Sequence, residues 1–192
     1  TCLQGNAHGT QDMSAALGNS CNVYFAQLAN ELGAEALQAK AKEMGFGVSS
    51  DLEGVSTAES TIDLTGVNSN QLGWAGVGQY TVLTNPYHMM VLMGAIANGG
   101  EYVQPRLVQG TDLLEGLSTG SRQLVSSQEA SQLKELMRSD VEYYYGDYLF
   151  PEGMNVCAKT GTGEVGDDKG PNCWMVGFCD STTYPYAFAV VV

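Results

Sequence analysis

Basic residues are scarce in this chain: 8 Lys and Arg stand against 21 Asp and Glu, a net charge of −13. Nucleic acid and anionic membrane surfaces both reward clustered Lys and Arg, so neither is expected as a partner. Long apolar runs are missing as well. No stretch reaches the ~18 uninterrupted apolar residues of a membrane span, and no charged start followed by an apolar core marks a secretory leader. Histidine is limited to His8 and His88, and the five cysteines (Cys2, Cys21, Cys157, Cys173 and Cys179) form no CxxC. That pattern predicts no zinc cluster and no metal. Cys173 and Cys179 fall on one predicted strand, roughly 20 Å apart and too far to bridge each other. An odd number leaves at least one thiol unpaired, and the expected role of the five is that of small buried hydrophobes.

What is present suits one folded domain. The 192 residues are 44% hydrophobic and 15% charged, enough to bury a core, with no repeat and no linker. "VYFAQLANEL", residues 23–32, has helical periodicity and ends at Gly33, a natural C-cap; "AEALQAKAKEM" predicts a second helix closed by Gly45. Residues 47–72, rich in Ser, Thr, Gly and Asp, read as a long surface excursion. "TNPYHMMVLMGAIANGG" is a strong helix capped by Thr84 or Asn85, with Pro86 in its first turn and Gly99-Gly100 at its end. A weakly structured stretch, 101–125, precedes a helix that opens on a capping box, Ser126 with Glu129, and stops at Gly146. Three strand candidates finish the chain: "MNVCAKTGT", "CWMVGFC" and "YPYAFAVVV". The polar loop 163–172 and the turn "DSTT" join them, which predicts an antiparallel meander; the last two read as strands covered on both faces. Helices first and a meander last predict an α+β fold, helices packed on an antiparallel sheet.

One stretch imitates a catalytic motif. "SQLK", residues 131–134, has the Ser-x-x-Lys spacing with which acyl-transferring enzymes pair a nucleophile and its base. A serine nucleophile usually needs its own N–H free for the oxyanion, and free amides lie only in a helix's first turn. With Ser126 as N-cap, Ser131 is already in the second turn, its amide bonded to the Ser127 carbonyl. Leu133, Leu136, Met137, Val141 and Tyr144 share the apolar side of this helix, and Ser131 points nearly opposite. The expectation is a solvated face, not a site.

Two other stretches carry chemistry together. "GNSCNVYF" sets Ser20 and Asn22 directly ahead of a helix, and "AKTGTGE" sets Lys159, Thr160, Gly161 and Thr162 at the end of a strand. Alone, Ser-x-Asn is also what helix capping favours. In this order and on these elements, the two resemble the serine acyl-transferases called penicillin-binding proteins and their β-lactamase relatives. "HGTQDMSAALGNSCNVYFAQLANELG", "GVGQYTVLTNPYHMMVLMGAIANGG" and "NCWMVGFCDSTTYPYAFAVVV" resemble the transpeptidase domain in particular, with 47–72 and 101–125 the least alike. The resemblance implies roles. Ser20 is expected to relay a proton to the leaving amine, and Asn22 to hold the substrate backbone in register. Lys159 would supply positive charge beside Ser20 and for the substrate's terminal carboxylate. Thr160 and Thr162 would bind that carboxylate, the Thr162 N–H would serve the oxyanion, and Gly161 would let substrate lie along the strand edge. Cys157, two residues before Lys159 on the same strand face, is expected to be packing.

Departures from the family pattern bear on the expectations. Tyr80 stands where the family commonly has a second glycine after Gly78-Gln79, and "YYYGDYLFPEG" replaces a small-residue pattern ahead of the Lys-Thr-Gly strand. No Ser-x-x-Lys precedes Ser20. The expectation is therefore a partial transpeptidase domain over 1–192, with the nucleophile segment before Thr1 and a last helix after Val192, and with exposed apolar faces prone to self-association. The function implied is D,D-transpeptidation: acyl transfer from D-Ala-D-Ala stem peptides through a serine ester. Peptidoglycan stem peptides and β-lactams are the partners, no cofactor is required, and the setting is the extracytoplasmic face of a bacterial membrane, reached only through an anchor outside this stretch. A β-lactamase or β-lactam sensor of the same fold, and a non-catalytic binding unit, are the alternatives.

Overall fold

The computed structural model describes residues 2, 5, 7–107, 120–166 and 169–192. Local chemistry fixes most helix starts. Ser126 and Glu129 form the expected reciprocal capping box before α6 (Ser127–Asp140), and the Asn85 side chain accepts the His88 N–H to open α5 (Pro86–Ala97). Near the start of the chain, Asp12 caps α1 (Met13–Gly18), and Gly33 separates α2 (Asn22–Leu32) from α3 (Ala34–Glu43).

The last three strands form an antiparallel sheet in the order β5 (Val156–Gly163), β6 (Asn172–Cys179), β7 (Ala187–Val191). Its register pairs Lys159 with Val176, Gly161 with Trp174 and Val176 with Ala189. Side chains alternate across it. Cys157, Val176 and Phe178 meet Leu92 and Ile96 of α5 and Met137 of α6. Val156, Ala158 and Cys179 point the other way, to Val141, Tyr145 and Phe150. Gly177 lies at the crowded centre, where a Cβ would stand 2.3 Å from the Cys157 carbonyl oxygen. The meander and the α+β class are as expected. Coverage of the last strand is not: β6 is central and buried over its second half, whereas Val190 at the end of β7 is 51% exposed.

The surface excursion 47–72 and the weakly structured stretch 101–125 both contain regular elements among the described residues. Within 47–72, β1 (Asp51–Leu52) and β2 (Val55–Ser56) form a short hairpin, and α4 (Ser69–Gly76) begins under a capping box made by Asn68 and Gln71. Its order comes from side-chain hydrogen bonds that leave no apolar period. Gln38 of α3 donates to the Ile62 carbonyl at 3.0 Å and accepts the Leu64 N–H at 2.8 Å. Leu64, Leu72 and Ala75 then join Ala29 in a second small core. Within 101–125, β3 (Glu101–Val103) pairs with β4 (Ser121–Gln123). Residues 108–119 of that stretch, and 167–168 of the polar loop, lie outside the described residues.

The largest correction concerns the end of α6. The chain does not run as an α-helix to Gly146. It passes through one π-helical turn, Val141–Tyr145, and then a 3₁₀ turn, Asp147–Leu149. A π turn holds an extra residue, so the faces shift by about 100°. Tyr144, expected on the apolar side, is 42% exposed, and Tyr145 turns inward instead.

Candidate active site

The turn between α1 and α2 carries Ser20. Backbone bonds from Asn19, Ser20 and Cys21 to the Ala15, Leu17 and Ala16 carbonyls wind the end of α1 tightly. Ser20 itself has φ +47°, a left-handed conformation that disfavours a residue with a Cβ by about 1–2 kcal/mol. Strain of this kind persists only where the surroundings hold it, and it gathers at functional sites. Asn22 is the first residue of α2. It lines an open groove of about 760 Å³ between α2 and α4, together with Ala26, Asn30, Trp74 and Val77.

β5 faces that turn with an edge that β6 leaves free. Consecutive residues of a strand send their backbone polar groups to opposite sides. The Thr160 N–H donates to the Tyr145 hydroxyl at 3.1 Å, and the Thr162 carbonyl accepts Gln79 Nε2 at 3.2 Å, so both residues address the free edge. The Thr162 N–H lies along that same edge. Gly161 is exposed, and a Cβ there would meet only the Trp174 Cβ at 3.9 Å. Packing in the sheet does not demand glycine at this position; the open side is what a side chain would obstruct.

Lys159 joins the two halves. Its Nζ donates to Ser20 Oγ at 2.5 Å, to the Thr160 carbonyl at 2.9 Å and to the Tyr145 hydroxyl at 3.2 Å. Ser20 and Lys159 are 139 residues apart in sequence and adjacent in space. The Tyr145 oxygen also accepts from Thr160 Oγ1 at 3.2 Å. An ammonium shared among a serine hydroxyl, a phenol and a carbonyl at an exposed strand edge can move a proton to or from that serine and attract a carboxylate. The sequence supplied Ser20 and Lys159; it did not supply Tyr145 or Gln79. Gln79 was within reach, since it sits between the quoted Gly78 and Tyr80. Tyr80 takes φ +64°, a left-handed backbone that a glycine adopts without strain.

Charges behind the site are arranged unevenly. Arg138 forks onto both Asp147 oxygens at 2.7 and 2.6 Å, contacts Glu142 at 3.2 Å and donates to the Val156 carbonyl at 3.0 Å. This fork ties the turns carrying Tyr145 to the start of β5, and the Arg138 guanidinium holds the Asp147 carboxyl below its ordinary range. Asp140 is fully buried and neither carboxyl oxygen has a hydrogen-bond partner. Burial pushes it up to about 6, the positive charge of Lys159 pulling it partly back. Cys157 is buried in the main core, and burial pushes its thiol up to about 12, so it is packing, as expected. Four of the five cysteines are buried and Cys173 is exposed. In the decoy motif Ser131 is exposed and Lys134 is paired with Asp180 at 2.8 Å.

The start of the chain brings together three donors that share no motif. α1 folds the start of the chain back on the head of α2, and Cys2, His8 and Cys21 bring ligand atoms within 4.8 Å of one another. No spacing motif announces this, because the donors come from separate segments.

The chain is similar to known proteins over nearly its whole length. A family model described as the penicillin-binding protein transpeptidase domain matches residues 3–192. The peptidoglycan D,D-transpeptidase PbpA of Mycobacterium tuberculosis is 32% identical over 192 residues, covering 95% of this chain and 39% of its own length. The penicillin G acyl-enzyme complex of penicillin-binding protein A from the same organism superposes with a TM-score of 0.80 at 31% identity, over 97% of this chain and 43% of that one. The D,D-transpeptidase domain of a peptidoglycan glycosyltransferase from Eggerthella lenta gives a TM-score of 0.83 at 27% identity, over 97% and 49%. The chain thus spans less than half the length of these relatives.

Proposed function

The chain belongs to the penicillin-binding protein transpeptidase family, and from that premise we propose that it is the part of a peptidoglycan D,D-transpeptidase that relays protons and binds the stem peptide. The observation that carries the reading is the 2.5 Å contact between Lys159 Nζ and Ser20 Oγ across 139 residues of sequence. In this reading a nucleophilic serine outside residues 1–192 attacks the carbonyl of the penultimate D-Ala. The carbonyl becomes an ester, and the terminal D-Ala leaves as an amine that takes its proton from Ser20, which Lys159 supports and which is replenished by the proton the attacking serine gives up. An acceptor amine then attacks the ester, and the serine is released.

The remaining roles follow the free edge of β5. A stem peptide adds as a strand beside Gly161, Thr160 and Thr162 hold its terminal carboxylate, and the Thr162 N–H serves the oxyanion. Asn22, at the mouth of the groove between α2 and α4, holds the peptide backbone on the other side. A substrate strand must exchange with the Tyr145 hydroxyl for the Thr160 N–H. β-Lactams enter as mimics of the same peptide, and the domain works on the extracytoplasmic face of a bacterial membrane. Exposed apolar side chains such as Leu83 and Tyr148 incline the isolated chain to self-associate.

Intact-mass spectrometry after incubation with excess benzylpenicillin tests the reading. The 192-residue chain is expected to stay unmodified, while the whole protein gains one acyl adduct on a serine outside these residues. A stoichiometric adduct on any serine of the chain, Ser131 included, would overturn it. So would rapid turnover of a chromogenic β-lactam by the whole protein.

A further inference from the structure

The residue between Ser20 and Asn22 is a cysteine, and it is not alone. Cys21 Sγ lies 3.6 Å from Cys2 Sγ, and both side chains are buried against Ala16. Cys21 is the N-cap of α2, yet its side chain makes no capping bond. The backbone N–H groups at the head of that helix, that of Val23 foremost, hold the nearby Cys2 thiol below its ordinary range. The Cys2 sulfur therefore sits at the positive end of an 11-residue helix with a second thiol in contact.

We infer that Cys2 and Cys21 are joined by a disulfide that fixes the turn carrying Ser20 and Asn22. Closing the pair to bonding distance needs an approach of about 1.5 Å, within the reach of two side-chain rotations. The compartment part of the argument rests on the proposed function, because an extracytoplasmic setting is oxidising. The chemistry balances by exchange with an external disulfide. The Cys2 thiolate attacks one sulfur of the oxidant and expels a thiolate; the Cys21 thiolate then attacks the Cys2 sulfur and expels the second. The protein loses two protons and two electrons, and the oxidant becomes two thiols. Because both sulfurs are buried in the folded chain, exchange takes place as the first residues dock, and the finished bond is shielded from reductants.

A 3.6 Å separation also suits two thiolates on one metal ion. A bond is favoured over an ion because, among the described residues, only His8 joins the two thiols as a third donor. The bond would close a loop containing all of α1, and Cys21 is covalently next to both functional residues. What it restrains is the strained Ser20 backbone that meets Lys159.

Two measurements test this. The chain, and a variant with Cys157→Ser, Cys173→Ser and Cys179→Ser, are exported to the periplasm or refolded against a glutathione couple, then unfolded and alkylated with iodoacetamide without reduction. The expected result is three alkylated thiols in the parent and none in the variant, each about 2 Da lighter before alkylation than after reduction, with one cross-linked peptide joining Cys2 to Cys21. Full alkylation, a bridge elsewhere, or one zinc per chain lost on Cys2→Ser would overturn the bond. In the whole protein, Cys2→Ser, Cys21→Ser, the double variant and the reduced parent are expected to share one loss of about tenfold in the benzylpenicillin acylation rate constant, with the preceding Kd unmoved. Unchanged acylation in a parent whose mass shows the bond to be reduced would overturn the positioning role. A whole protein that never acylates would instead sink the proposed function and leave the mapped bond standing.

Discussion

The two halves of the site are built on different principles. The β5 half is contiguous: Lys159 to Thr162 lie on one strand, their spacing set by the pleat and their register by eight pairings with β6. The Ser20 half is a turn whose strained backbone is held by the end of α1 and by the ammonium across the gap. A strand edge is a rigid ruler that needs few specific side chains, whereas a turn is only as fixed as the distant groups that grip it. The difference teaches where each half is vulnerable.

Severing the link between the halves has the largest expected effect. Lys159→Ala in the whole protein is expected to slow acylation by about 10³-fold, measured by stopped flow with a fluorescent penicillin. A loss under tenfold would mean that the halves work without this ammonium. Next comes the buried acid behind β5. Asp140 has a folded-state pKa raised to about 6, so the folded chain binds the extra proton, and stability falls as pH rises from about 4 to about 6. Asp140→Asn removes that loss. Its Tm at pH 7.5 is expected about 3 °C above the parent, with the two melting curves converging below pH 4. An equal gain at every pH would mean that the carboxyl is not the cause.

Tyr145→Phe sharpens the comparison more gently. It takes one hydrogen bond from Lys159 and two from Thr160, and is expected to slow acylation about fivefold, with no change in the unfolding midpoint. A matching loss of stability would make Tyr145 a packing residue. The smallest effect belongs to the loop beside the edge. Tyr80→Gly relieves the left-handed strain, partly offset by glycine's freedom in the unfolded chain, and is expected to stabilise by about 0.5–1 kcal/mol in urea titration. A destabilised variant would show that the Tyr80 side chain, not its backbone, shapes the loop.

The same contrast explains what could be read from the sequence. Lys-Thr-Gly on an alternating strand, the Ser126–Glu129 box and the Asn85 cap are short-range patterns, and the structure keeps all of them. The misreadings arise where a local pattern is overridden. Tyr145 is hidden because one π turn resets the helical phase after Val141. The 47–72 stretch looks loose because Gln38, far off in sequence, supplies its hydrogen bonds. The thiol pair escapes notice because Cys2 and Cys21 belong to no spacing motif and meet only when α1 reverses the chain. Ser131 is the converse case, a correct spacing on the wrong turn of a helix.

The unpaired edge of β5 also has a colloidal consequence. An unpaired edge offers its backbone groups to any extended strand, including one from a second copy of the chain. Tyr145 and Gln79, bonded to Thr160 and Thr162, cap two of its backbone positions, and a charge of −13 keeps like copies apart in dilute salt. Anything that screens the charge or displaces Tyr145 therefore favours stacked strands.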